Sequence, residues 1–73
     1  MSNLSNVRKE DLIYAERPDK KIVCYHVDKV FHFNNTVLAT NNDKPYIFDR
    51  TTGKLFGATG IYAKNEEWLM RAI

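Results

Sequence analysis

The chain has 73 residues, 44% hydrophobic and 12% aromatic, which allows a single domain over 1–73 with a modest core and exceeds the apolar content of a disordered segment. Eleven Lys and Arg against nine Asp and Glu give a formal charge of +2, which excludes the dense basic stripe of a dedicated nucleic-acid binder. Cys24 is the single cysteine, so no internal disulfide can form; no run approaches the roughly 18 apolar residues of a membrane span, and a reducing cytoplasm is the expected setting.

The first stretch, Met1 to Asn6, is polar, has no apolar export signal and is expected to be flexible. Val7 to Glu16 reads in two ways, as a helical turn leading into a strand at Leu12 to Ala15 or as one edge strand. Arg17-Pro18-Asp19-Lys20 reads as a turn, because Pro presets its own φ and Asp bonds to nearby backbone. Lys21 to Val27 comes next as a strand, with Ile22, Cys24 and His26 on one face and Val23, Tyr25 and Val27 on the other. Lys29 to Phe33, where Phe31 and Phe33 alternate with Val30 and His32, reads as a further strand. After Asn34-Asn35, Thr36 to Thr40 reads as another.

Asn41 to Pro45 is turn-forming, and Tyr46 to Phe56 reads as a hairpin with Asp49 and Gly53 at its bend. Gly57-Ala58-Thr59-Gly60 is a loop; it lacks the lysine and the long helix of a phosphate cradle. Asn65 can cap a helix running to Ile73, with Glu66 and Glu67 in its first turn and Leu69, Ala72 and Ile73 on one side. The expected fold class is α+β: a small antiparallel sheet of about four strands with a short C-terminal helix packed on it.

No catalytic constellation emerges, and the chain is not expected to be an enzyme or to carry a cofactor. A zinc site built on Cys24, His26 and His32 would have to recruit a carboxylate such as Asp28, and a buried thiol with two partly exposed imidazoles is the simpler reading. The same reading competes with a cysteine nucleophile activated by histidine. Glu10-Asp11 and Glu66-Glu67 are sequence neighbours, which do not converge as a catalytic carboxylate pair would. No metal and no small-molecule substrate are expected.

What remains is recognition of a macromolecule. Basic residues concentrate in the first third but alternate with Glu10, Asp11, Glu16 and Asp19, a pattern suited to the charged rim of a protein contact. Charge, aromatic content and expected exposure select Val7, Arg8, Lys9, Leu12, Tyr14, Arg17, Lys20 and Lys21 as partner-binding residues, with Tyr14 the aromatic anchor. The alternative is single-stranded nucleic-acid binding through sheet aromatics, for which Tyr25, Phe31, Phe33, Tyr46 and Phe48 are the candidates, aided by basic residues. Core packing is the simpler reading of those five.

Taken from Met1-Ser2-Asn3-Leu4 to Trp68-Leu69-Met70-Arg71-Ala72-Ile73, the chain resembles the small transcription regulators of lytic Xanthomonas bacteriophages in its length and its compact, mildly basic character. That resemblance implies a monomeric protein in the cytoplasm of a bacterial host, bound to host RNA polymerase near the N-terminal region of the β′ subunit. It implies inhibition of initiation by displacement of the σ factor, and antitermination at intrinsic terminators. An auxiliary nucleic-acid contact is compatible with it.

Overall fold

The computed structural model describes residues 4–65. Five strands form one antiparallel sheet: β1 (Leu12–Glu16), β2 (Ile22–Phe31), β3 (Thr36–Asn41), β4 (Lys44–Asp49) and β5 (Ala63–Asn65), in the spatial order β4-β3-β2-β1-β5. The expected α+β class is thereby corrected. There are five strands instead of about four, and the described residues contain no helix. Asn65, read as a helix cap, ends β5 opposite Ile13. The remainder of the expected helix, 66–73, lies outside the described residues.

The first four strands pair consecutively through short turns, each set by local chemistry. Between β1 and β2 the Lys20 amide donates to the Arg17 carbonyl at 2.9 Å, Pro18 presets the bend, and Lys20 takes φ +71°. Between β3 and β4 a two-residue turn places Asn42 and Asp43 at φ +51° and +64°, the left-handed pair whose twist matches an antiparallel hairpin. Between β2 and β3, residues 32–35 form the tip, with Asn35 left-handed.

β2 is one strand where the sequence suggested two. Its pairing with β3 shifts between Val27 and Lys29, so Asp28 is an extra residue that the ladder absorbs as a bulge. A bulge bends its strand and re-aims the side chains beyond it. Here Val30 stays packed against the core while Phe31 turns outward.

The segment after β4 closes the sheet. Asp49 Oδ1 accepts the amides of Thr51 and Thr52 at 2.8 and 2.9 Å, and the chain turns so that Leu55 bridges Phe48 and Lys54 bridges Tyr62. The Phe56 amide reaches the Ile47 carbonyl and the Leu55 amide the Ile61 carbonyl, both at 2.9 Å, which connects β4 to the run leading into β5. The expected bend at Asp49 and Gly53 is present, but its return leg is a pair of bridges and not a full strand. These bridges close the sheet from β4 to β5 into a small barrel, and closure removes most of the free edge that invites aggregation.

The barrel interior is apolar. Ile13, Ala15, Tyr25, Val27, Val37, Ala39, Phe48, Leu55 and Ala63 are buried, and Leu4 and Val7 join them from the N-terminal turn. Leu4, in the stretch read as flexible, is fully buried. Tyr25 meets Phe48 edge-on at 4.9 Å and Tyr46 at 5.3 Å between ring centroids, so two of the five candidate stacking aromatics, Tyr25 and Phe48, are core residues and a third, Tyr46, is partly buried against them. No described helix is long and apolar enough to cross a membrane.

Candidate functional site

Alternation along β1 sends Ile13 and Ala15 inward and Leu12, Tyr14 and Glu16 outward. Register then builds an outer stripe. Leu12 faces His26, Tyr14 faces Cys24 on one side and Lys64 on the other, and Glu16 faces Ile22. Leu12 is 40% and Ile22 45% exposed, so two large apolar side chains of this stripe meet solvent. Tyr14 lies half-buried between them.

The cationic residues selected from the sequence fall into two groups at opposite ends of β1. Arg17, Lys20 and Lys21 are exposed on the β1–β2 turn, while Arg8 and Lys9 are exposed on the N-terminal turn, about 20 Å away by strand rise. Val7 differs from both. At 8% exposure it is a core residue, and only its position beside Arg8 brings it to the lining of a surface cleft.

That cleft is an open depression of about 710 Å³ between residues 5–9 and the segment Asp28 to His32. It exists because the N-terminal turn is tied to β2 before the bulge and released after it. The Glu10 amide donates to the Val27 carbonyl at 2.9 Å and the Val27 amide to the Asp11 carbonyl at 2.8 Å; beyond Val27, β2 bends away. Arg50 braces the other side, one guanidinium nitrogen donating to the Ser5 carbonyl at 2.9 Å and another to Asn35 Oδ1 at 3.3 Å.

Charge in the cleft is sorted by local contacts. Asp11 Oδ2 accepts the Arg8 amide at 2.8 Å. His26 lies between two carboxylates, its Nε2 3.3 Å from Glu10 and its Nδ1 3.5 Å from Asp28. Of these three acids only Asp28 lines the cleft. Among the described residues the side chains of Arg8, Lys9 and Lys29 enter no ion pair, which leaves cations facing the opening.

Sequence reasoning selected Arg8 and Lys9 for a partner contact and Phe31 and Phe33 for the alternative of base stacking, weighed His32 only as a metal ligand, and missed Lys29. Phe31 is 37% exposed, and Phe33, at the hairpin tip, is 99% exposed. Burying a phenylalanine is worth about 1.5–3 kcal/mol, a gain that folding forgoes at Phe33. The available signal was Lys29-Val30-Phe31-His32-Phe33 itself, where cations and aromatics interleave.

Cys24 is exposed on the outer face, a correction to the buried thiol expected from sequence. Partial desolvation raises its pKa, which keeps it as the thiol. Among the described residues, no group of three or more His, Cys, Asp or Glu is arranged to hold a metal ion. No family model, curated protein or solved structure matches the chain.

Proposed function

We propose that this protein is a phage-encoded transcription regulator that binds host RNA polymerase and acts by occupying a protein surface. The observation that carries the reading is the outer stripe of β1 and β2. Leu12 and Ile22 are exposed on either side of Tyr14, with the cations of the N-terminal and β1–β2 turns at its ends. Apolar anchors within a charged rim are what a protein–protein contact requires. A standard interface needs about 800 Å² per partner, within reach of a barrel of this size.

The choice of polymerase as partner rests on the resemblance to small phage transcription regulators. On that reading the stripe docks on the N-terminal region of β′, excludes the σ factor from initiating enzyme and stays on elongating enzyme to favour read-through of intrinsic terminators. The working principle is competition for a surface.

The experiment is retention of purified bacterial core polymerase on the immobilised protein, with and without σ. Core is expected to be retained, σ to compete, and Leu12→Glu with Ile22→Glu to abolish retention in a folded protein. Failure to retain core polymerase would sink the proposal.

A further inference from the structure

We propose that the cleft between the N-terminal turn and the end of β2 binds a single-stranded polynucleotide, with its phosphates on Arg8, Lys9 and Lys29 and bases stacked on Phe31 and Phe33. The site is distinct from the outer stripe of β1 and does not rest on polymerase being the partner.

Three observations converge on it. The opening is lined by three cations, Arg8, Lys9 and Lys29, against one acid, Asp28, which lies 3.5 Å from His26; Glu10 and Asp11 are outside the lining. Phe33 is 99% exposed immediately beside His32, which lines the cleft, and Phe31 is exposed within it. The depression, at about 710 Å³, is open to solvent.

Single-stranded nucleic acid is the occupant whose chemistry matches both halves. Its phosphates need cations, and its unpaired bases present flat faces to any exposed aromatic ring. A protein partner would use Phe33 as an anchor but would leave the three cations unanswered unless it were acidic. A duplex would answer the cations while keeping its bases stacked on one another. The net charge of +2 for the whole chain limits the site to a short stretch of backbone, so binding is expected to be modest and salt-sensitive.

The test is fluorescence anisotropy of the purified full chain with labelled, unstructured RNA and DNA 12-mers of one sequence. Both are expected to bind, because no contact requires the 2′-hydroxyl. With three phosphates neutralised, affinity should fall about twentyfold between about 50 and about 200 mM salt. Lys29→Glu should weaken binding and flatten that dependence. Phe33→Ala should weaken binding about tenfold at both salts and leave the dependence intact, as loss of a stacked base would. Phe33 has no burial to lose, so the variant keeps the wild-type melting transition.

Absence of binding at the lower salt overturns the proposal, as does binding that ignores both substitutions. Equal competition by a duplex of the same length overturns the stacking arrangement. If oligonucleotides do not bind and Phe33→Ala instead releases polymerase, the cleft is part of a protein contact and the proposal is wrong.

Discussion

Gly53 and Ala63 meet backbone to backbone: the Ala63 amide donates to the Gly53 carbonyl at 2.6 Å, and a Cβ built on Gly53 would overlap the Ala63 carbonyl. Gly53 also takes φ +80°, a conformation costly for a side-chain-bearing residue. This contact joins the turn after β4 to β5, and β5 pairs with β1, so it is where the barrel closes. Gly53→Ala should destabilise the fold by about 2–4 kcal/mol, from backbone strain together with overpacking. Urea unfolding monitored by circular dichroism measures it; an unchanged midpoint would show that closure does not depend on this contact.

Lys20 is a test of the opposite sign. It takes φ +71° at the last position of the β1–β2 turn, where glycine is the residue without a steric cost. Lys20→Gly should raise stability by about 0.5–1 kcal/mol, relief of strain exceeding the added freedom of the unfolded chain. The same titration should show the midpoint moving up.

Arg50 ties three parts of the molecule together, donating from its side chain to Ser5 and Asn35 and from its amide to the Asn35 carbonyl at 2.9 Å. Arg50→Ala should cost about 1–3 kcal/mol, the range for removing hydrogen bonds from a charged group. Arg50→Lys should recover little of this, because one ammonium lacks the fork that spans two acceptors. Hydrogen exchange at the Val7 amide should quicken in both variants as the N-terminal turn loosens.

Tyr25 supplies a pH dependence. Burial raises its pKa, the neighbouring Tyr46 raises it further, and Arg17 acts weakly in the other direction. A phenol with a raised pKa in the folded state keeps its proton longer there than in the unfolded chain. Its contribution to stability is therefore complete below the unfolded value, about 10, and is lost as pH rises through the higher folded value. Alkaline unfolding should begin above about pH 10, and Tyr25→Phe should blunt it. Parallel titrations of wild type and variant that coincide would remove Tyr25 from the explanation.

The cationic turn can be separated from the fold. Arg8 and Lys9 are exposed and unpaired by acids among the described residues, so Arg8→Glu with Lys9→Glu should leave the melting transition within about 0.5 kcal/mol of wild type. It should weaken retention of polymerase and binding of oligonucleotide together, since the turn borders both surfaces. Normal retention by the double variant would confine the polymerase contact to the outer stripe.

Much of the strand plan was legible because it is local. Turn chemistry at Arg17 to Lys20 and at Asn41 to Lys44, and the alternation of Ile22, Cys24 and His26 against Val23, Tyr25 and Val27, arise from backbone preference and the two-residue period of a strand. The terminal helix was expected because Asn65-Glu66-Glu67 has the composition of a helix start; Asn65 instead completes a ladder with Ile13, a partner 52 positions earlier in the chain. For Asn65 a long-range pairing outweighs the local signal; residues 66–73 lie outside the described residues. The bulge at Asp28 was equally hidden, since an extra residue in one strand is defined only by the strand it faces.

The sequence by itself determined a small apolar core, an antiparallel arrangement built on short turns and a mixed-charge opening segment. These depend on composition and neighbours along the chain. Tertiary structure alone decided which aromatics were core and which were not: Tyr25 on β2 and Tyr46 and Phe48 on β4 meet across β3, while the bend after Val27 left Phe31 and Phe33 outside. It also decided that Arg8 and Lys9 would stand across a cleft from Lys29. Side chains about 20 residues apart in sequence share a site only when a bulge and a docked turn bring their backbones together.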